Sequence, residues 1–153
     1  MKGLWGRAAF FGLCLAVVPL SVQAFSALVS PPRIVDAAKP GVTYRNVIDI
    51  TNVSKESARF MVASADWVLD ETGGAVFSEG LAPSSCRPWL ALEAREIKLA
   101  AGARKRLRFE VDVPADAPSG ECRFAVMIEG EPRVVQGKVG LPVSGRIGVI
   151  VYL

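Results

Sequence analysis

The side chains that could do acid–base chemistry in this chain are carboxylates, because its 153 residues include no histidine. Ser-His-Asp catalysis, Cys-His catalysis and histidine-ligated zinc are therefore excluded. Asp66, Asp70 and Glu71 lie close together in sequence, and a pair of carboxylates can in principle catalyse hydrolysis. They also stand where a strand would end in a turn, an ordinary place for solvated acids. We expect a protein that is not an enzyme, with no metal site and no cofactor.

A run of basic residues is the other candidate for chemistry, and it could bind an anionic surface such as lipopolysaccharide. Its members are Arg104, Lys105, Arg106 and Arg108. In the same segment apolar residues alternate with charged ones, which predicts a strand with one buried and one solvated face. Because Glu110 and Asp112 offset the positive charge, we interpret the run as the solvated face of this strand.

The N-terminus has the pattern of a cleavable secretory signal. Lys2 and Arg7 precede an apolar run over residues 8–20, and Val22-Gln23-Ala24 provides small residues for cleavage. Thirteen apolar residues are few for a membrane span, although an uncleaved anchor is an alternative. A lipoprotein signal is disfavoured because Leu13 precedes Cys14. The interpretation is a signal peptide over residues 1–24 and a periplasmic domain over residues 25–153.

The mature chain is nearly neutral and carries two cysteines. Removing Lys2 and Arg7 from 18 basic residues leaves 16, against 15 acidic residues, so we expect no binding to nucleic acid. Its length suffices for one domain with a hydrophobic core. In an oxidising compartment Cys86 and Cys122 are most simply a disulfide; a metal site or a redox pair is the alternative.

Short β-rich runs closed by Gly, Pro, Asn or Asp predict an all-β, seven-stranded immunoglobulin-like sandwich. Trp67 and Phe109 are predicted to be core residues on facing sheets. No helical period is found after the signal, and no later apolar stretch has membrane-spanning length. The predicted strands cover residues 27–35, 42–51, 59–69, 89–99, 104–113, 122–129 and 143–153.

The last predicted strand, Val143–Leu153, is unusual because residues 146–153 are apolar on both faces. An apolar strand at a sheet edge favours pairing with another chain, and strand addition is a known mode of binding. The alternative is that both faces are covered, by a second domain or by the N-terminal strand.

The order of several motifs resembles the N-terminal domain of periplasmic pilus-assembly chaperones, the PapD-type immunoglobulin-like fold. The resemblance extends over most of the mature chain. It rests on Pro32-Arg33-Ile34-Val35, Ile48-Asp49-Ile50-Thr51-Asn52, Asp66-Trp67, Trp89-Leu90 with residues 97–102, Val113-Pro114-Ala115-Asp116, and Arg146–Tyr152.

The resemblance implies a site on the first and last strands. In that family an arginine and a lysine anchor the C-terminal carboxylate of a pilin subunit, and the last strand lends its apolar side chains to the subunit. Here Arg33 takes the arginine position, and the lysine position falls on Gly148, with Arg146 two residues earlier. The implied partner-binding residues are Arg33, Arg146, Ile147, Val149 and Val151.

We therefore expect a periplasmic chaperone or accessory protein for assembly of pili or related surface fibres. It would bind pilin-like or other exported subunits by strand addition along its last strand, and it would have no membrane span after signal cleavage. The alternative is a structural module of an envelope or secreted assembly without chaperone activity. The chain departs from the family in lacking the second domain, in its loop before the last strand, and in its cysteine pair.

Overall fold

The computed structural model describes residues 26–134 and 142–153. The predicted signal peptide, residues 1–24, lies outside the described residues. In chain order the strands are β1 (Ala27–Ser30), β2 (Arg33–Val35), β3 (Thr43–Asn52), β4 (Ala58–Leu69), β5 (Ala75–Ser78), β6 (Leu90–Leu92), β7 (Glu96–Leu99), β8 (Arg104–Asp112), β9 (Arg123–Gly130), β10 (Arg133–Val134), β11 (Pro142–Val143) and β12 (Arg146–Tyr152). Within these ranges no helix is long and apolar enough to cross a membrane.

The strands form a sandwich of two sheets. One sheet has the order β1-β3-β8-β6, and the other has the order β2-β12-β9-β4-β5, with β7 also pairing with β4. A short hairpin of β10 and β11 follows β9 and precedes β12. The predicted all-β immunoglobulin-like sandwich is confirmed, and the predicted strand count roughly agrees.

Two predicted strands are each divided between the sheets. The segment 27–35 pairs with β3 through β1 and then with β12 through β2. The break comes at Pro31-Pro32, where two consecutive residues have no N–H to donate to a ladder. Likewise, β6 pairs with β8 and β7 pairs with β4. The strand β5 lies in a stretch for which the sequence predicted only a connection.

The main core lies between the sheets, where Phe109 and Phe124 meet edge to face with ring centroids 6.2 Å apart. Phe109 is buried there as predicted. Trp67 is also buried and lies on the sheet that faces that of Phe109, as predicted, but its side chain is not part of the main core. It belongs to a second cluster with Ala65, Ala125 and Met127.

This second cluster lies on the outer face of the six-stranded sheet, as strand periodicity requires. Phe60 and Val62 on β4 point into the main core. Residues an odd number of positions away, including Trp67, point to the opposite face. Tyr152, Ile150 and Phe77 pack against the cluster and complete it.

The predicted disulfide between Cys86 and Cys122 is confirmed. The two Cα atoms are 5.7 Å apart, and 36 residues separate the cysteines in sequence. The bond joins the loop before a single-turn 3-10 helix, Arg87–Trp89, to the residue that precedes β9. It thereby fixes the loop that follows β5.

The basic run lies on and beside the outer face of the four-stranded sheet and is matched by carboxylates. Asp49 forms ion pairs with Arg104 and Arg106, and the hydrogen bond from Arg104 is the largest cause of the lowered pKa of Asp49. Lys105 and Arg108 are paired with Glu93. The interpretation of this run as a solvated face fits these contacts.

Candidate partner-binding edge

The strand β12 is paired on one side along its whole length and on the other side only in part. It runs antiparallel to β9 from Arg146 to Tyr152. It also runs parallel to β2, but only over residues 150–152. The N-terminal strand therefore covers the end of β12, so the prediction of an open edge is wrong for residues 150–152. In the part of the chain that the structure describes, no strand pairs with the other side of residues 146–149. We call this unpaired side of β12 the open edge.

The backbone polar groups at this edge can be assigned from the hydrogen bonds to β2. Ile150 N–H donates to the carbonyl oxygen of Pro32 at 3.3 Å, and Asp36 N–H donates to the carbonyl oxygen of Tyr152 at 3.1 Å. Successive residues of a strand direct these groups to alternate sides. The N–H and C=O groups of Arg146 and Gly148 therefore face the open edge.

The apolar side chains predicted to contact a partner mostly lie inside the domain. Val149 and Val151 are fully buried in the main core. Ile147 shares their inward direction but is only half-buried. Of these apolar side chains, Ile147 is therefore the one that a partner at the open edge can reach.

Arg33 and Arg146 lie on the same face of the six-stranded sheet but at different points along β12. Arg33 is in register with Ile150, four residues from Arg146, which corresponds to about 13 Å along a strand. The Arg33 guanidinium lies 4.5 Å from the ring centroid of Tyr152, which is at the opposite end of β12 from Arg146. The guanidinium of Arg146 is 3.3 Å from the carboxylate of Glu79. The structure thus places two separate cations along the strand, each with its own neighbour.

A close contact beside the open edge was not predicted from the sequence. A Cβ atom at Gly148 would lie 2.8 Å from Phe77 Cζ and 3.2 Å from Met127 Sδ. Phe77 on β5 therefore reaches across the outer face as far as β12, and Glu79 just beyond it reaches Arg146. The signal for this was Gly148 itself, because a glycine within a strand often marks a close approach.

The turn after β5 is held in place by the largely buried side chain of Arg87. This guanidinium donates to the carbonyl oxygens of Ser64 at 2.7 Å, Glu79 at 3.1 Å and Gly80 at 3.2 Å. It also forms an ion pair with Asp66 at 3.4 Å. These contacts fix the backbone on which Glu79 is carried.

Asp66 completes this anchor. Its carboxylate accepts hydrogen bonds from Ala82 N–H at 2.9 Å and from the Ser85 hydroxyl at 2.7 Å. Burial acts to raise the pKa of Asp66, but these two hydrogen bonds and Arg87 outweigh it and hold the pKa below its usual range. The carboxylate is thus stabilised as an anion that ties the loop to β4.

The comparison with solved structures finds the same sandwich in proteins of very different sequence. A chain of the complex between Salmonella enterica SafA pilin and the SafB chaperone matches with a TM-score of 0.58 at 14% identity over 86% of this chain and 55% of that one. The E. coli chaperone DraB matches with a TM-score of 0.54 at 15% identity over 86% and 56%. The domain has a PapD-like fold. No family model and no curated protein matches the sequence.

The PapD-like fold also occurs outside proteins named as chaperones. A PapD-like domain of human CEP192 matches with a TM-score of 0.50 at 11% identity over 96% of this chain and 95% of that domain chain. By contrast, this chain spans about half the length of the chaperone chains that it matches. The PapD-like fold therefore does not by itself decide the function.

Proposed function

We propose that this protein is exported to the periplasm and acts as an assembly chaperone or accessory protein of a surface fibre. In this role it binds an extended segment of another exported chain by strand addition at the open edge. The observation that carries the proposal is the pair of residues Arg146 and Gly148, whose backbone groups face away from β9. The predicted signal peptide supports export, and catalysis has no part in this proposal.

The size of the open edge sets how much of the binding free energy its backbone can supply. The N–H and C=O groups of Arg146 and Gly148 can form four hydrogen bonds with a partner strand. Each hydrogen bond contributes a net free energy of about 0.5–1.5 kcal/mol. Their sum of about 2–6 kcal/mol must also offset the loss of freedom on association. Side-chain contacts must therefore contribute, and Ile147 and Arg146 are the side chains placed to make them.

The solved structures support a chaperone over a purely structural module only by analogy. Several matched structures are chaperones, three of them in complexes with a pilin or a tip subunit. The half-buried Ile147 beside an open backbone edge is the feature of this chain that favours binding a partner strand.

The test is binding of synthetic peptides to the protein. The probes are 15-residue peptides that tile the exported proteins of the source genome, each made with a free C-terminal carboxylate and with a C-terminal amide. We expect a subset to bind with micromolar to millimolar dissociation constants. Semisynthesis of the protein with N-methylglycine at position 148 then removes the N–H that faces the open edge without adding a Cβ atom against Phe77.

The N-methylated protein is expected to keep its thermal stability, because the N–H of Gly148 does not bond to β9, and to lose peptide binding. Absence of binding by every peptide to the unmodified protein would overturn the proposal. So would binding that is unaffected by the methyl group, since strand addition at the open edge requires that N–H.

A further inference from the structure

Glu79 forms an ion pair with Arg146, the cation that lies beside the open edge. Its carboxylate oxygen is 3.3 Å from a guanidinium nitrogen of Arg146, and its side chain is 79% exposed. Arg146 is the first residue of β12, and its backbone faces the open edge. The ion pair therefore stands at the entrance to the surface on which a partner strand would add.

The position of Glu79 is set by the fold. Its backbone carbonyl accepts a hydrogen bond from Arg87, whose side chain is 13% exposed and follows directly after the disulfide-bonded Cys86. Two residues before Glu79, Phe77 packs on Gly148 and Met127. Contacts on both sides therefore hold this short segment over β12.

We propose that Glu79 is a built-in competitor for a partner carboxylate, which must displace it from Arg146 when a strand adds to the open edge. The proposal rests on the proposed function and specifies its partner: a strand with a carboxylate, from a side chain or a C-terminus, beside Arg146. An uncharged segment gains nothing from this displacement, so the competitor selects against it.

The geometry of strand pairing supports this assignment. Residues directly opposite each other on adjacent strands have Cβ atoms about 4.5–5.5 Å apart, so a partner residue on the outer face beside Arg146 is within reach of its guanidinium. Arginine can bind a carboxylate through two parallel hydrogen bonds, whereas Glu79 makes one contact through a single nitrogen. The next outer-face position of the partner lies beside Gly148 and can pack against Phe77.

The experiment compares wild-type protein with Glu79→Gln on the peptide array described above, at low and high salt. Glu131→Gln is the matched control, because Glu131 is also an exposed glutamate with an arginine partner, Arg59. We expect Glu79→Gln to bind carboxylate-bearing peptides up to about fivefold more tightly, as expected for removal of an exposed ion pair. The gain should shrink at high salt and be absent from Glu131→Gln.

The peptide chemistry separates the two sources of the carboxylate. A gain that is lost with a C-terminal amide assigns it to the chain terminus, and a gain that is lost when a peptide glutamate is replaced by glutamine assigns it to a side chain. Equal binding by wild type and Glu79→Gln, or an equal gain for uncharged peptides, overturns the competitor while leaving strand addition intact. Failure of every peptide to bind both proteins overturns the proposed function and the competitor with it.

Discussion

The ring of Phe77 lies against Gly148, close enough that a Cβ atom at position 148 would stand 2.8 Å from Phe77 Cζ. Glycine at position 148 therefore leaves room for the Phe77 side chain on the outer face of the six-stranded sheet. The resemblance to pilus-assembly chaperones assigns a lysine to this position. In this protein a hydrophobic contact takes the place of that cation, and Arg146 is the nearest basic residue on the strand.

The first prediction concerns the coupling between these two residues. Gly148→Val should lower the free energy of unfolding by about 1–3 kcal/mol, because overpacking forces Phe77 and Met127 to move. In a Phe77→Ala background the same substitution should cost much less. Urea unfolding of the four proteins in this double-mutant cycle measures the coupling, with Gly80→Ala as a control in a roomier position. Equal costs in both backgrounds would show that Phe77 does not limit position 148.

The second prediction concerns the indole of Trp67. Its N–H is buried with no acceptor among the described residues, and its ring packs edge to face on Tyr152 with centroids 5.3 Å apart. Trp67→Phe should cost less than about 1.5 kcal/mol, because it keeps an aromatic ring and removes an unpaired donor. Trp67→Ala should cost about 3–5 kcal/mol. Equal loss of stability in the two variants on urea unfolding would show that the indole N–H makes a stabilising hydrogen bond in the folded protein.

The third prediction concerns the disulfide. Replacing Cys86 and Cys122 together by alanine should lower the free energy of unfolding by about 2–4 kcal/mol, because the bond closes a loop of 36 residues. Reduction of the wild-type protein should lower it by a similar amount. Urea unfolding with and without reductant makes the measurement, and the double-alanine variant, which should not respond to reductant, is the control. An unchanged unfolding midpoint on reduction would contradict the prediction.

The fourth prediction concerns pH. The folded-state pKa of Asp66 is held below its usual range, so its ionised form contributes stability that is present above the unfolded pKa of about 3.9. That contribution is lost as the pH falls through the folded pKa. Asp66→Asn should therefore be less stable than wild type by about 2–3 kcal/mol at pH 7, with the difference shrinking below about pH 4.

Urea unfolding at pH 7, 5 and 3 checks this expectation. Asp116→Asn is the control, because Asp116 is exposed in the turn between β8 and β9. A difference between wild type and Asp66→Asn that stays constant from pH 7 to pH 3 would mean that the carboxylate charge plays no part in anchoring the loop.

The sequence was sufficient for features that depend on local pattern. Alternation along residues 104–113 predicted β8 and the burial of Phe109, because a strand with one wet face shows its period directly. Two cysteines in a chain that was predicted to be exported were sufficient to predict the disulfide. For the last strand, the alternative that both faces are covered fits residues 149–152, because β12 contributes to both hydrophobic clusters.

Features that depend on contacts between distant segments could not be predicted from the local sequence pattern. Trp67 was correctly predicted to be buried, but the sequence did not indicate that it packs in a second cluster on the outer face, which its odd spacing from Val62 decides. The cover of residues 150–152 by β2 depends on where the first strand changes sheets. The contact between Glu79 and Arg146 depends on the hydrogen bonds by which Arg87 joins the segment of Glu79 to β4.

Amide hydrogen exchange of residues 146–149, measured by NMR, distinguishes an open edge of β12 from a covered one. In the free protein the amides of Arg146 and Gly148 should exchange quickly, while those of Ile147 and Val149, which bond to β9, should be protected. A bound peptide from the array should protect Arg146 and Gly148 and remove this alternation. Strong protection of both amides in the free protein, or no added protection in the complex, would contradict strand addition at this edge.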